Sequence, residues 1–272
     1  MTRFLLMAVA ALFVCVASSP AATLVECDFD SLPYGGDEVS IDNVSDSYGS
    51  WDAPAGKIDT DNSRSSPKSA RIDQDGETGM RYYLNTATRT ALHDSTVPLI
   101  LEYSFYRPDD TDDVRQGGMG GSAITSTEPW EAEAWQMRVK ADGDIELQVD
   151  AVGGGYSPHT LTPSVGNVAG WFDFTMTIDL SPTTAQVTSA TVKAPGAAGF
   201  EEIMTSTGQF RCEGGGNWLN MLQFGSQNNS GSLVAHDSIK ISQIPEPSTV
   251  ALFGVAGALG LVVLAFRRRR RK

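Results

Sequence analysis

Through the middle of the chain, apolar and polar residues alternate with a period of two. This spacing turns one face of an extended strand to a core and the other to water. The clearest stretch sets Phe172, Phe174, Met176, Ile178 and Leu180 against Asp173, Thr175, Thr177 and Asp179, and predicts a half-buried antiparallel strand. Leu99, Leu101, Tyr103 and Phe105 alternate in the same way with Ile100, Glu102, Ser104 and Tyr106, whose outer face is less polar. Trp135, Met137 and Val139 form a third strand, and Ile145, Leu147 and Val149 a fourth. Between the last two lies Ala141-Asp142-Gly143-Asp144, where Asp-Gly supplies the positive φ angles of a tight hairpin turn. No long amphipathic helical period competes. Strands divided by turn-rich stretches, without intervening helices, predict an all-β fold, a two-sheet antiparallel jelly-roll sandwich.

The ends break this pattern. Arg3 is followed by residues 4–17, 14 positions without a charge, and then by small residues at Ser19, Ala21 and Ala22. That is the layout of a secretory signal peptide, residues 1–22, with signal peptidase cutting after Ala21 or Ala22. Val14 before Cys15 and Glu26 before Cys27 do not fit a lipoprotein signal. At the other end, residues 248–266 are 19 uncharged residues, which as a helix reach roughly 28 Å at about 1.5 Å per residue, enough for one membrane span. Residues 267–272 are five arginines and a lysine, and such a cluster stays on the cytoplasmic side. The two ends together predict residues 23–243 as an exported domain outside the membrane and 244–272 as its anchor.

Charge sharpens that division. Arg3 and the six residues from Arg267 account for 7 of the 20 basic residues, so residues 22–247 hold 13 against 33 acids, a formal charge of −20. Such a surface repels phosphates, which excludes nucleic acid as a partner. Only Cys27 and Cys212 remain once the leader is removed, and an oxidising compartment permits them to pair. A bridge across so long a loop has a theoretical worth of roughly 4–5 kcal/mol, while the alternative is two buried thiols.

The residues just before the apolar span carry more than hydropathy. Pro245-Glu246-Pro247, then the span interrupted by Gly254, Gly257 and Gly260, then the terminal arginines, resemble the PEP-CTERM sorting domain. The resemblance implies an exosortase, a membrane-embedded cysteine transpeptidase, as processing partner, with Pro245, Glu246 and Pro247 as its recognition element and not as catalytic groups. Two prolines around a carboxylate hold the segment extended and stop a helix growing upstream. The exported part is loosely similar to concanavalin-like, laminin-G-like sandwiches through Ser66-Pro67-Lys68-Ser69-Ala70-Arg71-Ile72, the Asp142-Gly143 hairpin, Gly170-Trp171 and the closing strand from His236 to Ile241.

Candidate chemistry is sparse. Asp237 shares strand parity with Ala235 and Ile239 and so points inward, where a carboxylate needs a partner or a break in register. Glu26, Asp28 and Asp30 alternate on the first strand. In carbohydrate-binding jelly rolls the first and last strands often share a structural calcium, and that resemblance makes Asp28 and Asp237 candidate ligands. The acidic run from Asp109 to Asp113 lacks DxDxDG spacing and reads as a solvated loop. Glu128, Glu131 and Glu133 beside Trp130 and Trp135 lack the spacing of a sandwich-fold glycosidase. Trp51, Trp130 and Tyr156 are candidates for a glycan platform, with core filling as the competing role; Trp135 belongs to the core. His93, His159 and His236 have no zinc spacing, and the glycine triplets at 153–155 and 214–216 match no phosphate loop. The expected protein is a non-enzymatic, exported cell-surface or matrix protein with a structural or adhesive role and polysaccharide as a candidate partner. The alternative is a carbohydrate-binding module with structural calcium.

Overall fold

The computed structural model describes residues 21–30, 33–64, 67–72, 79–108, 113–121, 133–150, 156–180, 186–204, 208–209, 218–227 and 234–244. Contacts divide the chain into Thr23–Gln243 and a second unit made of Met1–Ala22 and Ile244–Lys272. The first is built almost wholly of strands: β1 (Thr23–Cys27), β2 (Gly49–Asp52), β3 (Gly56–Asp59), β4 (Ser69–Ile72) and β5 (Met80–Leu84) precede the helix α1 (Thr86–His93). Then come β6 (Leu99–Arg107), β7 (Asp113–Gly121), β8 (Glu133–Val139), β9 (Ile145–Asp150), β10 (Tyr156–Leu161), β11 (Gly170–Asp179), β12 (Gln186–Lys193), β13 (Glu201–Met204), β14 (Gly208–Gln209), β15 (Trp218–Gln227) and β16 (Val234–Gln243).

The strands form two antiparallel sheets. One runs β13-β12-β11-β6-β16-β4-β3, with β1 also on β16 and β14 on β12; the other runs β10-β9-β8-β7-β15-β5-β2. Their inner faces meet in a single core, where the ring of Tyr103 in the first sheet lies 5.5 Å from that of Phe224 in the second. The expected two-sheet, all-β architecture is present. Among the described residues no helix is long and apolar enough to cross a membrane, and the expected span at 248–266 lies outside them.

The period-two stretches become strands with the expected faces. In β11, Phe172, Phe174, Met176 and Ile178 are buried between half-buried neighbours, and β6 buries Leu99, Leu101, Tyr103 and Phe105 opposite them. The β8–β9 hairpin turns where expected: Gly143 has φ +89°, its N–H donates to the Lys140 carbonyl at 2.8 Å, and Lys140 N–H donates to Asp144 at 2.8 Å. Trp135 is fully buried, with its Nε1 donating to Gln116 Oε1 at 3.3 Å. Its ring crosses directly over Gly118, where an added Cβ would lie 2.0 Å from the indole.

Three features differ from the sequence reading. α1 is a short helix that no apolar period signals; Asn85 caps it, its Oδ1 accepting from Thr88 N–H at 2.9 Å. On β16 the inward parity breaks. His236 pairs with Phe105 and Ile241 with Leu101, but the register shifts between Asp237 and Lys240, where Ser238 takes φ +54°. Asp237 pairs with Ser104 and so, like Ala235 opposite Tyr106, lies on the outer face of the sheet, still wholly buried, while the bulge after it returns Ile239 and Ile241 to the core. β1 also ends at Cys27, so Asp28 and Asp30 lie beyond it.

Candidate functional site

The outer face of the larger sheet carries a groove of about 350 Å³ crossing β1, β16, β6 and β11. Register builds its floor. Glu26 of β1 pairs with Lys240 of β16, Lys240 with Glu102 of β6, and Glu102 with Thr175 of β11, so a lysine sits between two carboxylates in one cross-strand row. Opposite charges facing each other across strands stabilise such a row. The next row runs Asp237, Ser104, Asp173 and Lys193.

Arg64 pins that second row. Its Nε and Nη2 donate to the two oxygens of Asp173 at 3.0 and 2.7 Å, while its backbone N–H donates to Asp237 Oδ2 at 2.8 Å. The Ser104 hydroxyl donates to Asp173 Oδ1 at 2.9 Å. Burial pushes the Asp173 carboxyl up, but the Arg64 guanidinium, the Ser104 hydroxyl and Lys193 outweigh it and hold it below the usual carboxylate range. The ion pair in turn raises Arg64, against a smaller effect of burial.

The groove ends at Phe200, which also lines it and is 55 % exposed. A tight turn lies a few residues before it. Pro195 precedes Gly196 at φ +79°, and Ala197 N–H donates to the Ala194 carbonyl at 3.1 Å, the arrangement that needs glycine at the third turn position.

The two candidate calcium ligands sit in different surroundings. Asp28 is exposed at the groove, whereas Asp237 is buried and accepts from Arg64 N–H and, at 2.6 Å, from Ser238 N–H. Among the described residues no three His, Cys, Asp or Glu side chains are grouped to hold a metal ion.

Trp51 is a core residue, not a platform. It is 2 % exposed, and its ring lies 4.8 Å from Tyr82, 5.7 Å from Phe29 and 5.8 Å from Phe224. Its Nε1 donates to the Tyr34 oxygen at 3.1 Å, and Tyr34 donates to Asp46 Oδ2 at 2.5 Å. Tyr82 donates to the other oxygen of Asp46, which also accepts from the backbone N–H groups of Tyr48 at 2.7 Å and Gly49 at 3.0 Å. The Cys27 thiol, free and buried, points at the same carboxylate with Sγ 3.8 Å from Oδ2. Burial first, then the negative charge of Asp46, drive the thiol far above its ordinary pKa, so it is inert as a nucleophile. Burial likewise raises both phenols. This cluster locks the segment between β1 and β2 onto the sandwich.

Trp130, Cys212, Pro245, Glu246 and Pro247 lie outside the described residues, as does the side chain of Tyr156, whose backbone pairs with Asp150. Glu102, Lys240 and Phe200 were not singled out by sequence. Nothing in their local patterns marks them; only the alignment of distant strands does.

The family described as the PEP-CTERM protein-sorting motif matches residues 243–271. No curated protein matches the chain. Among solved structures, it is similar to the binding domain of Botulinum neurotoxin serotype G, with 10% identity, a TM-score of 0.47 and coverage of 87% of this chain and 51% of that one. It is also similar to the binding domain of Paraclostridial Mosquitocidal Protein 1, with 12% identity, a TM-score of 0.42 and coverage of 76% and 47%. A third is the binding domain of Botulinum neurotoxin DC in complex with SialylT, with 8% identity, a TM-score of 0.44 and coverage of 74% and 45%. The chain thus spans about half the length of these structures.

Proposed function

We propose that this is an exported surface or matrix protein, addressed by its C-terminal tail and acting through contacts of its sandwich instead of through catalysis. The observation that carries the reading is the sorting motif at residues 243–271, which places Pro245-Glu246-Pro247 directly before an apolar run and a terminal basic cluster. In this reading signal peptidase removes residues 1–22 and the apolar segment halts in the membrane with its arginines inside. The extended Pro-Glu-Pro segment then stands at the outer face, where an exosortase-type enzyme cuts it. Two prolines deny the segment helical hydrogen bonds and so keep it in the open form a transpeptidase needs.

The triple variant Pro245→Ala, Glu246→Gln, Pro247→Ala tests this. Its chain should remain in the membrane fraction at full length, while the native chain passes to the cell surface or medium in a shortened form. An unchanged distribution would remove the sorting role from these residues.

A second reading, that the sandwich is a carbohydrate-binding module, is favoured by one observation. The exposed Phe200 borders a groove whose lining includes carboxylates, an ammonium and hydroxyls.

A further inference from the structure

We propose that the groove between β1 and Phe200 is a binding site for a neutral pyranose, one or two rings of a hexose polymer. The proposal rests on the reading of the chain as a surface protein acting by contact, and supplies the ligand class for it.

Charge selects the ligand. Four acidic residues line the groove: Glu26, Asp28, Glu102 and Asp173. A polyanionic glycan such as a uronate or sulfated polymer meets repulsion there, compounded by the −20 formal charge of residues 22–247. A cationic sugar is disfavoured for a different reason. Lys240 occupies the centre of the floor by register between Glu26 and Glu102, and Asp173 is already chelated by Arg64. An ammonium group would be set against Lys240 at the centre of the floor, and Asp173, held by Arg64, is not open to receive it.

A neutral pyranose suits what remains. Its hydroxyls both donate and accept, and the row supplies both kinds of partner: Glu102 and Asp28 accept, Lys240 donates, and Thr175 does either. The apolar C–H face of the ring needs a flat apolar surface, and Phe200 supplies one at the end of the row. The phenyl ring is 55 % exposed and lines the groove, so its face is open to a ligand. A volume of about 350 Å³ falls at the small end of the roughly 300–1,000 Å³ typical of ligand clefts, which limits the site to a short segment of a polymer.

The test uses full-length protein purified in detergent. Immobilised hexaoses of neutral glucose, mannose and galactose are compared with glucuronate and glucosamine hexaoses of the same length. Saturable binding of at least one neutral hexaose is expected, weaker binding of both charged series, and a loss of about tenfold or more for Phe200→Ala. Val39→Ala, which alters the other exposed large apolar side chain among the described residues, should leave binding unchanged. Phe200→Trp should retain binding, and its indole emission should shift when the same neutral hexaose is added. The proposal is overturned if no neutral hexaose binds, if a charged series binds more tightly, or if Phe200→Ala binds as the native chain does. Failure here would leave export and tail processing standing, because those are read from the chain's location and termini.

Discussion

His236 sits at the centre of the sandwich, wholly buried, with the Tyr103 hydroxyl on Nδ1 and no hydrogen-bond partner for Nε2. Burial lowers its pKa to about 3, so the folded protein keeps the ring neutral at any ordinary pH. An unfolded histidine titrates near 6.5, so between about pH 6.5 and 3 the unfolded chain binds a proton that the folded chain refuses. Stability is unaffected by this group above that window and falls through it as pH drops, by at most about 1.4 kcal/mol per pH unit. Asp173 acts in the same direction lower down: its depressed pKa contributes stability that is lost as pH falls through the folded value. His236→Gln retains an acceptor for Tyr103 but cannot titrate. Denaturant unfolding at pH 7 and pH 5 should show a smaller loss of stability on acidification for this variant than for the native chain. An equal loss would show that the histidine is already protonated in the fold.

At the scale of elements, glycine positions in the smaller sheet distinguish packing from chance. Gly118 on β7 leaves room for the Trp135 ring of β8, and a Cβ there would overlap it at 2.0 Å. Gly225 on β15, in the same sheet, has only Gly79 Cα near an added Cβ, at 3.9 Å. Gly118→Ala should therefore cost about 1–3 kcal/mol, read as a lowered Tm, while Gly225→Ala should be close to neutral. Equal effects would mean that Trp135 is not held where the structure puts it. The elements themselves were largely legible. Strands β6, β8, β9 and β11 each bury one face and hydrate the other, and Asp142-Gly143 marks its turn, so their residues state their environment directly. β16 was misread at one point. A bulge inserts a residue through Ser238 in a left-handed conformation, which serine does not advertise as glycine would, and every side chain after it changes face. The groove was illegible for a related reason. Glu26, Glu102 and Lys240 come from distant strands, and only the pairing register sets them in a row. Trp51 illustrates the opposite error: a tryptophan proposed for a ligand face is tied into the core through Tyr34 and Asp46.

For the molecule as a whole, function is written mainly in the ends and folding mainly in the middle. The span from Thr23 to Gln243 forms one sandwich with a continuous core, and residues 243–271 carry a sorting motif that needs only an extended recognition segment, an apolar run and terminal positive charge. Those requirements concern order along the chain, which is why the tail could be read without any knowledge of the fold. The central claim is that this tail addresses an exported sandwich. Mass spectrometry of the protein recovered from its native envelope and medium tests it most directly, by fixing where the mature chain begins and ends. The account predicts an N-terminus at Ala22 or Thr23 and a C-terminus between Pro245 and Ser248. A chain that still begins at Met1, or one recovered only with Lys272 intact, would contradict it.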